Sequence, residues 1–259
     1  MKPPPPPRWA SASEHGPESG IAIGPILYIV AILAVLASAI AAGSGVFSGD
    51  NSAISAKAQA AAILEQANEV KFAVDRVLAK GCADTQISFE NPIVSGYVNP
   101  DAPADKSCHV FDVNGGGIVW KKPSADIYSA VMTGFTNGLW VYHGHLCVGG
   151  VGSATRNYSG GGTTCRGDAS PTSLVMATHS IKPSVCDALN TMLGVELLSS
   201  GHNDSSGVGI AGSQYFKGAY TKDVTGGYNS QATIGKMMGC AQTTSNGGYT
   251  YFYAVLIPR

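Results

Sequence analysis

Hydrophobic and polar positions along the chain predict an uncharged apolar segment followed by an amphipathic helix. Residues 21–43 contain no charged side chain. About twenty such residues in a helix span the roughly 30 Å hydrocarbon core of a bilayer. Residues 52–81 place apolar side chains on one helix face, at Ala60, Leu64, Ala67, Val74 and Leu78. The pattern predicts a membrane-spanning or export segment that continues as a stem helix, which Gly81 ends.

Beyond the stem helix, the pattern changes to short runs in which apolar and polar residues alternate between Gly, Pro and Asn. Such alternation predicts half-buried strands. Runs of this kind lie at 86–98, 108–120, 139–152 and 172–180, and the first two are expected to form hairpins. Residues 200–230 are polar and Gly-rich, so they predict loops or weak strands.

The last residues of the chain predict a strand that is covered on both faces. An Asn-Gly-Gly turn at 246–248 precedes the run 249–257. Alternation along a strand puts successive side chains on opposite faces. One face receives Tyr249, Tyr251, Tyr253 and Val255, and the other receives Phe252, Ala254 and Leu256.

Two short helices are predicted within this strand-rich region. A turn at 182–184 precedes a helix that ends at Gly194. Its apolar face consists of Val185, Leu189, Met192 and Leu193. Residues 124–135 predict a second short helix with Ser124 as its N-terminal cap.

These patterns predict the α+β class. We expect a long N-terminal membrane-spanning and stem helix, packed on a C-terminal domain with an antiparallel β-sheet. The boundaries are a Pro-rich leader or cytoplasmic segment at 1–20, the two helical parts at 21–81, and a disulfide-containing domain at 82–259. The last segment is long enough for one hydrophobic core of ordinary size.

Charge and motifs argue against nucleic-acid binding and against catalysis. The chain has 16 Lys and Arg against 17 Asp and Glu, so no broad basic surface is expected and no nucleic-acid partner. No GxSxG motif or spaced Ser, His and Asp set is present, and we expect neither an enzyme nor a cofactor. Residues 115–117 are three glycines without the Lys-Ser or Lys-Thr of a phosphate loop, so they predict a turn.

The cysteines predict disulfide bonds in an oxidising compartment. All six follow the apolar segment, and none lies in a CxxC motif that would favour metal binding. Six cysteines allow fifteen pairings. Pairing by order along the sequence would join Cys82 to Cys108, Cys147 to Cys165, and Cys186 to Cys240.

Two further motifs have both a functional and an ordinary interpretation. His143 and His145 would share one face of a strand, but two imidazoles alone are weak support for a metal site, and surface or turn histidines are commoner. The Arg-Gly-Asp tripeptide at 166–168 is an adhesive motif in principle. A solvated turn is the favoured interpretation, because three-residue matches arise by chance.

The N-terminal residues predict the orientation in the membrane. Lys2 and Arg8 precede the apolar segment, and Lys57 is the first basic residue after it. This favours a cytoplasmic N-terminus and an extracytoplasmic C-terminal domain. The alternative is a secretory signal peptide cleaved after Ala41, but its apolar region would exceed the usual length of about 7–15 residues.

An apolar N-terminal helix with an amphipathic extension resembles a type IV pilin. The sequence IKPSVCDAL at 181–189, a later Cys and a closing aromatic strand are similar to the C-terminal part of type IVb pilins and minor pilins. The resemblance implies a disulfide between Cys186 and Cys240. It also implies a structural or assembly subunit of a type IV pilus or secretion pseudopilus. Its partners would be other pilin subunits, the inner membrane, prepilin peptidase, and a surface ligand or host cell.

One position departs from the pilin pattern. Prepilins are cut after a glycine, which matches Gly20 before Ile21, and the family usually has a glutamate five residues into the mature helix. Pro25 stands at that position. Its presence favours a minor or tip subunit, or a pilin-like protein that never polymerises. The alternative from another class is a membrane-tethered extracytoplasmic binding domain, such as an adhesin or receptor.

Overall fold

The computed structural model describes residues 51–129, 138–152, 172–197, 203–204, 215–220, 227–228, 233–243 and 249–259. All but Asn51 belong to one compact unit, Ser52–Arg259. The predicted leader and apolar segment lie outside the described residues, as do Gly20 and Ile21. In the part of the chain that the structure describes, no helix has the length and apolar character needed to cross a bilayer.

Helices and strands follow one another in no regular order along the described part of the chain. It also contains short 3₁₀ turns at Asp84–Gln86 and Ala125–Ile127. The helices are α1 (Asn51–Ala79) and α2 (Pro183–Leu193). The strands are β1 (Val141–His143), β2 (Cys147–Val148), β3 (Leu174–His179), β4 (Asn203–Asp204), β5 (Gly227–Tyr228), β6 (Met238–Thr243) and β7 (Thr250–Ile257).

Helix α1 is the predicted stem helix. Its 29 residues are rich in alanine, the best helix former, and contain no glycine or proline. One face is buried in the core, at Ala56, Ala60, Ile63, Ala67, Val70, Val74 and Val77. The helix ends where predicted, since Gly81 adopts a φ of 95°. There its N–H donates to the Leu78 carbonyl at 2.9 Å.

The main sheet has the strand order β1-β3-β7-β6-β4. Its first four strands pair antiparallel, and β4 is added parallel to β6 at the edge. Strands β2 and β5 form a separate parallel pair. The α+β class with an antiparallel sheet is therefore confirmed, and β7 lies at the centre of that sheet.

Both faces of the sheet are buried, as the alternation in β7 predicts. Met176, Phe252, Ala254 and Leu256 share a hydrophobic cluster with α1 and α2. On the opposite face, Val175, Tyr251, Tyr253 and Val255 pack with Leu146, Val148 and Val151. A central strand that is buried on both sides explains why β7 is apolar at nearly every position.

The prediction of hairpin strands at 86–98 and 108–120 is wrong. These residues form turns, and an isolated parallel bridge joins Ser88 to His109. Side chains take the place of a strand partner, because the Asn99 amide donates to the carbonyls of Thr85 and Ile87, both at 2.8 Å. In these turns, buried apolar side chains alternate with polar side chains that form hydrogen bonds with the backbone. The sequence therefore shows the same alternation as a strand.

Other predicted elements are present but shorter. Ser124 caps a 3₁₀ turn by accepting from the Asp126 N–H at 3.4 Å, and Tyr128 after it is already extended. The remaining part of the predicted helix, 130–135, lies outside the described residues. The run 139–152 contains only the short strands β1 and β2. Helix α2 is present and ends at Gly194 in the left-handed conformation, as predicted. The predicted turn at 182–184 is wrong in part, because Pro183 and Ser184 already form the first turn of the helix and Lys182 is its N-terminal cap.

Candidate functional site

Two disulfides tie the helices and loops to the domain. Cys82 and Cys108 are joined with their Cα atoms 5.9 Å apart. Cys186 in α2 and Cys240 in β6 are joined with their Cα atoms 5.4 Å apart. Both predicted pairs are confirmed. Cys147 is also disulfide-bonded, but Cys165 lies outside the described residues.

Asn190 adds a polar connection beside the second disulfide. It lies one helical turn after Cys186, and its side chain is fully buried. Its amide donates to the carbonyls of Cys240 at 2.8 Å and of Glu196 at 2.9 Å. The Cys240 N–H donates back to the amide oxygen at 2.9 Å. Asn190 is not among the residues predicted from the sequence, although a lone polar side chain on an apolar helix face was the available signal.

The three glycines form a turn against the C-terminal half of α1, as predicted. A Cβ on Gly115 would lie 2.0 Å from the His109 carbonyl oxygen, and one on Gly116 would lie 2.3 Å from the Val110 carbonyl oxygen. Arg76 donates to the Gly116 carbonyl at 2.9 Å. The turn thus packs closely on the backbone at 109–110, and its Gly116 contacts α1 through Arg76 and Ala73.

His143 and His145 do come together, but in the interior. Their ring centroids are 4.6 Å apart, and their exposed fractions are 0% and 3%. The expectation of surface histidines is therefore wrong for this pair, and so is the expectation that both share one face of a strand, because β1 ends at His143 and His145 lies in the bend that follows. Burial, with smaller effects from His145 and His179, holds the pKa of His143 well below its usual range, so the ring is neutral at physiological pH. Burial likewise lowers the pKa of His179 to about 4.

The described residues do not form a metal centre. Among them, no group of three or more His, Cys, Asp or Glu side chains is placed to hold an ion. Val141, two residues before His143 on β1, and Leu146, the residue after His145, both belong to the apolar cluster that contains Val175 and Tyr251. We interpret the pair as part of the core.

A surface concavity lies beside the N-terminal half of α1. This α1 groove has a volume of about 280 Å³. It lies between the helix and the segment that leads into the 3₁₀ turn at Ala125–Ile127. It is lined by Ser55, Ala58, Gln59, Ala62, Ile63, Gln66, Pro123, Ser124 and Ile127. All nine of these residues are uncharged.

The position of the α1 groove follows from the segment at 116–121. That segment runs along the C-terminal half of α1, from Arg76 back to Glu69, where the Lys121 ammonium group lies 2.8 Å from the carboxylate. The Trp140 indole N–H donates to the Gln66 amide oxygen at 2.9 Å and so positions this side chain at the groove. Towards the N-terminus of the helix from this point, Pro123, Ser124 and Ile127 line the groove opposite α1.

Comparison with protein-family models, curated proteins and solved structures finds no match for this chain. The likeness to type IV pilins is therefore carried by the residues of this chain alone. The other motifs, the Arg-Gly-Asp tripeptide at 166–168 and Pro25, lie outside the described residues.

Proposed function

We propose that this chain is a pilin-like structural or assembly subunit of a type IV pilus or a related secretion pseudopilus. It would be a minor or tip subunit, anchored in a bacterial inner membrane with its C-terminal domain outside the cytoplasm. After assembly the domain would lie on the pilus or cell surface, where it would contact a surface ligand or host cell. Its other partners would be pilin subunits and prepilin peptidase.

The observation that carries this proposal is the combination of the uncharged segment 21–43 with α1. Helix α1 begins at Asn51, shortly after that segment, and buries one face on the sheet domain. Such a helix supports the domain while leaving an apolar segment of the same chain for membrane or subunit contacts. The N-terminal half of α1 keeps Ser55, Ala58 and Ala62 exposed, which a neighbouring helix can approach closely.

The disulfides give separate support. Bonds at Cys82–Cys108 and Cys186–Cys240 favour an oxidising compartment on the far side of the membrane from the N-terminus. The second bond joins a short helix to the strand beside the closing strand β7, which is the arrangement that the resemblance to type IVb pilins implies. The proposal includes no catalytic activity.

Pro25 favours a second candidate function. A glutamate in that position of a pilin would pair with the N-terminal amine of a neighbouring subunit, and proline has no charge to do so. A single-pass, membrane-tethered binding domain that does not polymerise has no need of such a charge. The two candidates share the membrane segment, so processing and location separate them.

Two measurements on the native envelope test the proposal. Mass spectrometry of the mature N-terminus should find a chain that starts at Ile21, and immunogold labelling should find sparse label on pili or their tips. An intact Met1 together with no label on any filament would favour the tethered binding domain. A start at Ala42 would indicate a secreted protein.

A further inference from the structure

The two disulfides described above differ in their access to solvent. Cys186 and Cys240 are 0% and 1% exposed. Cys108 is 2% exposed, but its partner Cys82 is only half-buried, and among the described cysteines it alone is not fully buried. A sulfur atom that solvent reaches can also be reached by a dissolved thiol, so the two bonds should differ in reactivity.

The surroundings of Cys82 are open. Its neighbours Gly81 and Ala83 are exposed. A Cβ added to Gly81 would meet no described residue within 4 Å apart from its chain neighbours. On the other side of the bond, residues 104–106, shortly before Cys108, are exposed as well. The disulfide therefore lies at the surface, just beyond the C-terminal end of α1.

Thiol–disulfide exchange requires a clear approach to one of the two sulfur atoms. The thiolate attacks from the side opposite the sulfur that leaves, so access to the attacked atom decides which half of the bond reacts. Because Cys108 is buried, the open approach leads to the Sγ atom of Cys82, and the Cys108 sulfur is the leaving group.

We propose that Cys82 is a site of reversible modification by small thiols in the folded protein. The attacking thiolate forms a new disulfide with the Cys82 sulfur, the Cys82–Cys108 bond breaks, and Cys108 leaves as a thiolate that takes up a proton. When the Cys108 thiolate attacks the new disulfide in return, the small thiol leaves and the original bond forms again. One disulfide is exchanged for another, so no further oxidant or reductant is needed.

Other contacts hold both sides of this disulfide in place when the bond is open. At the end of α1, the Lys80 ammonium group donates to the Gly115 carbonyl at 2.8 Å. On the other side, the Ser88 N–H donates to the Cys108 carbonyl at 3.1 Å. The Cys108 thiol therefore stays close to Cys82 after exchange, which favours closure of the bond and retention of the fold.

Exchange kinetics of the full-length protein in detergent test the proposal. The protein is incubated with reduced glutathione at about pH 8, where part of the thiol is ionised, and free thiols are then alkylated in acid-quenched samples. Peptide mass spectrometry should find glutathione on Cys82 and a free thiol at Cys108. We expect these products at least about tenfold faster than any product at Cys186 or Cys240, whose bond opens only when the core does.

Two single variants test which sulfur is accessible. Cys108→Ser leaves Cys82 as a thiol, and Cys82→Ser leaves Cys108. We expect iodoacetamide to alkylate the first variant at least about tenfold faster than the second, because Cys108 is buried. Circular dichroism and a retained Cys186–Cys240 bond verify that both variants are folded.

Three results would overturn the proposal. They are equal exchange rates at the two disulfides, glutathione found mainly on Cys108, and loss of the native circular dichroism spectrum as the adduct on Cys82 forms. The last result would show that exchange requires unfolding. The inference depends only on the folded domain, so these outcomes do not bear on the proposed filament role.

Discussion

Asn190 and Cys240 exchange two hydrogen bonds across the contact between α2 and β6, with N···O distances of 2.8 and 2.9 Å. Cys240 is also the residue that α2 holds covalently through Cys186. The helix is thus attached to the sheet twice at one strand position. A buried amide that satisfies both backbone groups of one residue has little freedom to shift, so it defines the register of α2 on β6.

The first prediction concerns Asn190. Asn190→Ala would leave the backbone groups of Cys240 and the Glu196 carbonyl without their side-chain partner. We expect the free energy of unfolding to fall by about 2–3 kcal/mol, since unsatisfied buried polar groups are costly. Urea unfolding of the full-length protein in detergent, followed by circular dichroism, measures it. Asn114→Ala is the matched control, because that amide is exposed, and it should change stability by less than about 0.5 kcal/mol. Equal effects at both positions would contradict the prediction.

The second prediction concerns the two disulfides. Cys186 and Cys240 are 54 residues apart in sequence, and Cys82 and Cys108 are 26 apart. Chain-entropy arguments give a loss of about 4 kcal/mol when the longer loop is opened and slightly less for the shorter one. One double variant replaces Cys186 and Cys240 by Ala, and a second replaces Cys82 and Cys108. Thermal unfolding under non-reducing conditions compares the losses of stability in the two variants. A Tm that is insensitive to loss of the Cys186–Cys240 bond would contradict the structural role given to α2.

The third prediction concerns pH. The pKa of buried His179 is lowered to about 4, so the unfolded chain binds more protons than the folded protein once the pH falls below the ordinary value of about 6.5. Stability is therefore fully present above pH 6.5 and decreases as the pH falls towards 4, with a slope of about 1.4 kcal/mol per pH unit for this residue. His143 contributes in the same direction.

Urea unfolding at a series of pH values measures this slope. His179→Phe keeps a ring next to Tyr249, whose ring centroid lies 5.6 Å away, but removes the titrating group. The variant should show a shallower loss of stability between pH 6.5 and 4. A slope identical to that of the unmodified protein would show that His179 does not titrate as its burial implies.

The fourth prediction concerns the glycine turn. Gly115→Ala would bring a Cβ to 2.0 Å from the His109 carbonyl oxygen, so the backbone would have to move. We expect a loss of at least about 3 kcal/mol, as for severe overpacking. Gly194→Ala is the comparison, because it has the left-handed φ of 61° but open space around it, and should cost about 1–2 kcal/mol. Thermal unfolding of both variants measures the two losses, and a smaller effect at Gly115 than at Gly194 would contradict the close packing of the turn on its neighbours.

The fifth prediction concerns filament assembly and tests Pro25 in the N-terminal segment. Pro25→Glu would supply the carboxylate that a neighbouring N-terminal amine can pair with in an apolar surrounding. We expect labelled protein to spread from sparse positions to positions along the filament shaft. Pro25→Ala, which removes the proline without adding charge, should keep the sparse distribution. Immunogold counts per filament length measure both, and even labelling of the unmodified protein would contradict the tip assignment.

The sequence by itself determined the elements whose signal is local. Helix α1, the end of α2 at Gly194 and the two faces of β7 all follow from the spacing of apolar residues within a single element. Side chains return to the same side of a helix about every 3.6 residues and to the same side of a strand every second residue. Burial of one side therefore spaces the apolar residues at that period, whichever element covers them. The Cys186–Cys240 pair followed in addition from a resemblance.

Only the tertiary structure decided the features that join distant parts of the chain. The alternation at 86–98 looked like a strand, but the Asn99 amide binds the carbonyls that a strand partner would have taken. His143 in β1 and His145 in the bend that follows it are both buried, which their spacing in the sequence does not indicate. The bond from Asn190 to Cys240 spans 50 positions, and the α1 groove exists because Pro123 and Ile127 stand beside Ala62. Contacts of this kind depend on how elements meet in space, and no local period in the sequence records them.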